Sequence, residues 1–434
     1  MSSGRERRVA LTSPFESIGR RRWTFPPRTN LGRAAALAPG RPALTTKLSF
    51  PAQKIRCQVL NFATRVNASS MSEDNLKIYI LGAGCSRDCG YPLAVDMIQH
   101  LREFADSLDA SRASRLLHSV RSTLELMERK DHGKIVDTID TLVAKINDGQ
   151  FDESNAIMGE EMQKRHSLRH ERIQAAKLAV STMFHFKESA AIGTGLNSYR
   201  DFLYDLFPGA SSRWWDNIGE TNYRVLSFNY DRMFEIAFHD RFNIDLEQWG
   251  FYGGKVLNSG LDVVYNKRIE FERNRFSFLK LHGSIEMWVG DDYGETSHGY
   301  RFPKQVNNFE PTDDLYFAEP VDGPHPLRLK ATPIMVFPHE RQFIRGNKSG
   351  YPFHRYIEKV WEYAEELVGH ATEVVIIGYR FAGIDRQPFL DLLSRAKACK
   401  KIIVHNPEAK HICDRLFRSH PEWRGIITDE ESGF

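Results

Sequence analysis

Apolar residues recur along the chain in two periods, and the changes of period mark its elements. Residues 76–81 form a run that is apolar but for Lys77 and partly β-branched, the composition of a strand buried on both faces. Beyond glycines at 82 and 84, Leu93, Met97, Leu101, Phe104 and Leu108 fall at helical spacing. Helical periodicity then continues to about residue 207. Ile135, Ile139, Leu142, Val143 and Ile146 mark one face, and Ile173, Ala176, Val180, Met183 and Phe184 another. A third, with Phe202, Leu203 and Leu206, stops at Pro208-Gly209. Strand-like runs return at 224–228, 276–281, 333–337, 373–377 and 401–404, with a weaker one at 425–428. Helical stretches at 353–368 and 389–398 lie between some of them. This alternation predicts an α/β fold: a Rossmann-like parallel sheet of about six strands, with a helical insertion at about 100–207. Residues 238–270 and 289–330 lack periodicity and read as long loops.

Composition narrows the class. The 434 residues, 41% hydrophobic and 26% charged, are those of a soluble globular protein, and no run of about 20 apolar residues predicts a transmembrane helix. Five cysteines, at 57, 85, 89, 399 and 413, form no Cys-x-x-Cys pair. That argues against a disulfide framework and a zinc ribbon, and points to a reducing, cytoplasmic setting. Residues 1–70 carry thirteen Lys/Arg against Glu6 and Glu16, a local +11; with the whole chain at +3, the remainder carries −8. An acidic body has no electrostatic footprint for nucleic acid. The basic segment reads as a disordered tail, as an organelle transit peptide, or as a stretch outside the functional protein, with Met71 as the start. The last reading is preferred.

Candidate chemistry gathers at strand ends. The first strand runs into Gly82-Ala83-Gly84, followed by Cys85, Ser86, Arg87 and, at the next helix, Pro92. Gly82 and Gly84 permit φ > 0 and a close backbone approach, and a strand turning into a helix offers free N–H groups to a phosphate. Arg87 stands where the dinucleotide fingerprint has its third glycine, and no Gly-Lys-Ser/Thr follows, so an ordinary tight turn competes with that reading. Other predicted strands end in Ser227-Phe228-Asn229-Tyr230-Asp231, Leu281-His282-Gly283-Ser284, Gly378-Tyr379-Arg380 and His405-Asn406-Pro407-Glu408. Open α/β sheets bind ligands beyond their carboxyl strand ends, and four polar ends point to one composite site. Plainer roles stand beside these. Asn229 and Asp231 could cap a helix starting near Arg232, His282 could sit in a turn, and Cys85 reads as a packing residue. Trp249, Phe251 and Tyr252 line a pocket or seal a hydrophobic edge. His166, His170 and His185 read as a solvated helix face, not a metal site.

Gly-Ala-Gly-x-Ser-x-x-x-Gly-x-Pro at 82–92, Asn-x-Asp at 229–231, His282-Gly283, Gly378 and Asn406 stand in the order of the sirtuin-like, NAD-consuming family, which the chain resembles over residues 76 to about 410. Ser-Phe-Asn-Tyr-Asp, Leu-His-Gly-Ser followed by Trp288, and Gly-Tyr-Arg-Phe resemble more narrowly its branch of bacterial anti-phage defence enzymes, which hydrolyse NAD. Cysteine pairs for the deacylases' zinc ribbon are missing, Phe228 replaces their Gln, and Leu93-Ala94 their Phe-Arg. Arg380 stands where a small hydroxyl residue is common. The resemblance implies a NAD+ glycohydrolase that releases nicotinamide and ADP-ribose, with Asn229, His282 and Asp231 catalytic and no metal. It implies that Gly82, Ala83, Gly84, Cys85, Ser86, Arg87, Pro92, Gly378, Tyr379, Asn406 and Glu408 hold NAD+. It further implies an abortive-infection effector, homo-oligomeric and triggered by self-assembly or by a separate sensor or ATPase protein. An NAD-dependent protein deacylase and a non-catalytic sensor of NAD or ADP-ribose are the alternatives.

Overall fold

Successive strand residues point to opposite faces, so a run that is apolar at every position must be covered twice. The computed structural model shows this double covering. It describes residues 75–129, 138–151, 159–194, 196–208, 221–242, 276–290, 300–301, 331–340, 352–381 and 385–430. The chain divides into two units, Met1–Ile55 and Arg56–Phe434, and all described residues belong to the second. The expectations for residues 1–70 and for Trp249, Phe251 and Tyr252 lie outside the described residues.

The main sheet contains β1 (Lys77–Leu81), β2 (Tyr223–Ser227), β3 (Ser277–Lys280), β7 (Glu373–Ile377), β8 (Lys401–His405) and β9 (Ile427–Glu430), in the order β3-β2-β1-β7-β8-β9. Every pairing in it is parallel, so the Rossmann-like α/β expectation holds. On one face Tyr79, Val225, Phe278, Val375, Ile377 and Ile403 meet helices from the chain between β1 and β3. These are α1 (Gly84–Arg87), α2 (Met97–Ser107), α3 (Ser114–Glu128), α4 (Ile139–Asn147), α5 (Gly159–Thr194), α6 (Leu196–Leu206) and α7 (Met233–Phe242). On the other face Ile78, Ile80, Leu226, Leu279, Val374, Ile376, Ile402 and Val404 meet α8 (Pro352–His370), α9 (Arg386–Leu393) and α10 (Ala409–Ser419). Among the described residues no helix is long and apolar enough to cross a membrane.

Several local expectations change. The run at 333–337 does not join the parallel sheet. It forms β6 (Ala331–Met335), antiparallel to β4 (Gly283–Gly290), in a second sheet ordered β5-β4-β6 with β5 (Tyr300–Arg301). Pro333 has no N–H to give a central ladder, and β6 is accordingly an edge strand. Parts of the expected loops are also regular: Val289 and Gly290 end β4, and Phe238 and Phe242 are buried on α7. His185 is not solvated; its Nε2 lies 2.8 Å from the Ile285 carbonyl, because β4 covers that part of α5.

Buried ion pairs tie the helical layer to the strand ends. Arg232, ahead of α7, makes a two-pronged contact with Glu188 of α5, both at 2.5 Å. Lys177 of α5 meets Glu340, just beyond β6, at 2.8 Å. Glu188→Gln removes the charge facing a guanidinium that is only 6% exposed. The expected cost is about 3–5 kcal/mol in urea unfolding, and a change within about 0.5 kcal/mol would show the pair to be dispensable.

Candidate active site

The strand order reverses its direction of growth between β1 and β7, the place where open α/β sheets form their crevice. There the turns after the two strands touch backbone to backbone. Gly82 N–H donates to the Ile377 carbonyl at 2.8 Å and Gly84 N–H to the Gly378 carbonyl at 2.9 Å. A Cβ on Gly84 would lie 2.7 Å from the Gly378 oxygen, and one on Gly82 2.6 Å from the Tyr379 Cα. Positive φ belongs to Gly378 (66°), not to Gly82 or Gly84. The expected freedom of those two glycines is therefore corrected: their smallness serves close packing. The N–H groups of Cys85 and Ser86 donate to Gly82 and Ala83, so these four expected phosphate donors are engaged within the protein. Helix α1 is a single turn, Ala83 and Arg87 are exposed, and Pro92 is buried.

Asn229 stands two residues beyond β2 and meets this turn directly. Its Nδ2 donates to the Gly82 carbonyl at 3.0 Å and to Ser86 Oγ at 3.2 Å, while Ser86 Oγ lies 2.7 Å from the Tyr199 hydroxyl of α6. The residue is 6% exposed, and its Oδ1 is buried with no hydrogen-bond partner among the described residues. Asp231 takes the capping role: Oδ1 accepts from Met233 N–H at 3.0 Å at the start of α7. Beneath the loop, buried Lys280 donates to the Tyr230 and Asp231 carbonyls and pairs with Glu235 at 2.9 Å. Burial, followed by the Asp231 charge, pushes the Cys89 thiol up to about 12. Burial also pushes up Cys85, whose Sγ–H donates to the Ile377 carbonyl, so both thiols are inert packing groups at neutral pH.

Ser227 pairs with Lys280, so His282 occupies the position on the β3 end that matches Asn229 on the β2 end. The adjoining carbonyl of Leu281 accepts from Trp361 Nε1 at 2.7 Å, which anchors this strand end to α8. The imidazole is 3% exposed, edge-on to Phe228 at 5.1 Å and flanked by Tyr230 and Trp361 at 5.8 and 6.3 Å. Nε2 lies 3.3 Å from Asp385 Oδ1 without hydrogen-bond alignment. Asp140 of α4 belongs to the same electrostatic neighbourhood. Burial, then the Asp385 charge, raise its carboxyl to about 7, against a lowering by His282.

The remaining candidates lie at the β7 and β8 ends. Tyr379 stacks on Phe389 at 4.3 Å and leans on Phe228 at 4.9 Å. Asn406 is buried, donating to the Tyr379 carbonyl and accepting from Glu408 N–H, a turn arrangement leading into α10. Glu408 is exposed and gripped by both prongs of Arg380 at 2.9 and 3.2 Å. Among the described residues no group of three or more His, Cys, Asp or Glu converges as a metal site. Compared with models of known protein families and with curated protein sequences, the chain shows no match. Sequence reading missed Asp385, Asp140, Tyr199 and Lys280. Only Asp385 carried a local signal, an Asp three residues before a proline at a helix start.

Two outcomes are expected from this geometry. Gly378→Ala adds a Cβ 2.6 Å from the Cys85 nitrogen at φ 66°, and should lower Tm by several degrees; an unchanged Tm would contradict the close contact. Asp140, with its usual pKa of 3.8 raised to about 7, binds protons more tightly folded than unfolded. Its charging penalty is absent below 3.8, grows as pH rises, and is complete above about 7. Asp140→Asn should therefore raise Tm relative to the parent at about pH 8 and by less at about pH 4. A difference independent of pH would refute the assignment.

Proposed function

We propose that this chain is a NAD+ glycohydrolase, breaking the bond between nicotinamide and ribose to give nicotinamide and ADP-ribose. The observation that carries the reading is Asn229: its Nδ2 is locked onto the glycine turn, its Oδ1 is buried without a partner, and His282 stands at the matching place on the next strand. A buried acceptor left unbonded is costly in a protein, and at the end of a central strand a ligand hydroxyl or a water would complete it.

The chemistry suits those two groups. Nicotinamide leaves NAD+ as a neutral molecule from a cationic linkage, so its departure needs no general acid. The transition state has a ribose of oxocarbenium character. Asn229 Oδ1 offers the acceptor that orients a ribose hydroxyl or the attacking water, and the Nδ2 bonds keep the amide from turning. His282 takes the proton as the water adds. Asp231 acts at one remove, by holding the loop and the start of α7. Arg87, exposed at the end of α1, is assigned the pyrophosphate, and exposed Glu408 a ribose diol. A cytoplasmic defence role, a homo-oligomer, and a trigger from self-assembly or a separate sensor or ATPase protein belong to the same reading.

The test is incubation of the full chain with NAD+ alone, followed by chromatography. Nicotinamide and ADP-ribose should appear in equal amounts, and Asn229→Ala and His282→Ala should each slow the release by about 100-fold or more without loss of folding. Release that requires an acyl-peptide would point to a deacylase. Binding of NAD+ without turnover would point to a sensor.

A further inference from the structure

Asp385 occupies the N-cap position of α9 but makes no capping hydrogen bond. An Asp there usually takes extended backbone and accepts from the first turn of its own helix. Here its backbone is helical, with φ −69° and ψ −14°, and Oδ1 lies 3.3 Å from His282 Nε2 on a different strand end. Both atoms are buried and neither has a formed hydrogen bond, so an acceptor and a ring nitrogen face each other in need of a small rotation. Phe381, four residues beyond β7, is the described non-glycine residue with positive φ (52°), its ring set against Tyr379 at 5.0 Å and Phe389 at 4.5 Å. A bulky residue in that conformation is held by its packing against these two rings.

We propose that Asp385 is a positioning residue for His282. Its carboxylate accepts the Nε2 proton, fixes the ring and its tautomer, and leaves the opposite ring nitrogen as the base. This deepens the hydrolase reading and rests on it for the chemical step. In that step a water oxygen bonds to the ribose carbon, the carbon–nitrogen bond breaks with its electron pair passing to nicotinamide, and the water proton passes to His282. The resulting imidazolium is stabilised by the Asp385 carboxylate. Among the described residues, Tyr230 after β2 flanks this imidazole and Asp140 on α4 interacts with it electrostatically; Glu340 beyond β6, held by Lys177 of α5, acts in turn on Asp140 and Tyr230.

The experiment compares the full chain with Asp385→Asn and Asp385→Glu, using NAD+ kinetics over about pH 5 to pH 9 and nitrogen NMR of 15N-histidine-labelled protein, with the His282 signals assigned by His282→Gln. Asp385→Asn should lower kcat about 10- to 100-fold with little change in KM, and change the pH profile of the rate. Asp385→Glu should restore part of kcat. The His282 signals should report an Nε2-protonated ring in the parent and lose that tautomer preference in Asp385→Asn. Parent-like kcat, pH profile and ring signals in Asp385→Asn would overturn the proposal. If the parent leaves NAD+ intact, the hydrolase reading fails and the ring signals alone decide the pairing. Should Asp385→Asn fail to fold, the ring signals of the parent decide it: an Nε2-protonated ring supports the pairing, and an Nδ1-protonated ring overturns it.

Discussion

The contact of two backbone turns at the centre of the sheet governs the rest of this structure. Where β1 and β7 end, Gly84 and Gly378 approach so closely that a Cβ on either would lie within 2.7 Å of the opposing backbone. That contact, with Leu81 in register with Ile377, sets the two strand ends at one height. Groups that share the crevice must therefore come from just beyond neighbouring strands. Asn229 satisfies this by bonding to the glycine turn itself, and His282 by standing in register with Asn229.

Charge buried beneath the crevice serves position more than stability. Lys280 with Glu235, Arg232 with Glu188 and Lys177 with Glu340 each join elements distant in the chain. Burying an ion pair has a desolvation cost that its attraction only roughly offsets, so such pairs are better understood as fixing geometry. Their placement agrees with that: Lys280 lies under the carbonyls of Tyr230 and Asp231, and Glu340 follows the strand next to His282. The Asp385–His282 approach differs in kind, because its two atoms meet without a completed bond. A structural pair would be expected to close; a pair that tightens when a proton is transferred would not.

Much of the architecture was legible because the central strands of the main sheet present apolar residues to both faces, so β1, β7 and β8 read as largely apolar runs, whereas the edge strand β9, Ile-Thr-Asp-Glu, gave only a weak signal. The same rule misled at Pro333–Phe337, where an apolar run proved to be an edge strand of a second sheet; the missing N–H of Pro333 was the overlooked clue. Asn229, His282 and the glycine turn were legible as polar or small residues directly after strands. Their local roles were not. Periodicity cannot distinguish a glycine chosen for φ from one chosen for close packing, and Gly82 and Gly84 proved to be the second kind. Asp231 caps its helix while Asp385, with an equally plain capping signal, does not. Asp140 could not be foreseen, since it reaches the neighbourhood of His282 from a helix of the insertion by tertiary packing alone.

The central claim is spatial: the nicotinamide ribose of NAD+ lies between Asn229 and His282. A crystal structure of the His282→Ala chain soaked with NAD+ measures this most directly. The account predicts a ribose hydroxyl within hydrogen-bond distance of Asn229 Oδ1 at the glycine turn. A dinucleotide bound away from the ends of β1 and β2, or one with its nicotinamide turned out of the crevice, would contradict it.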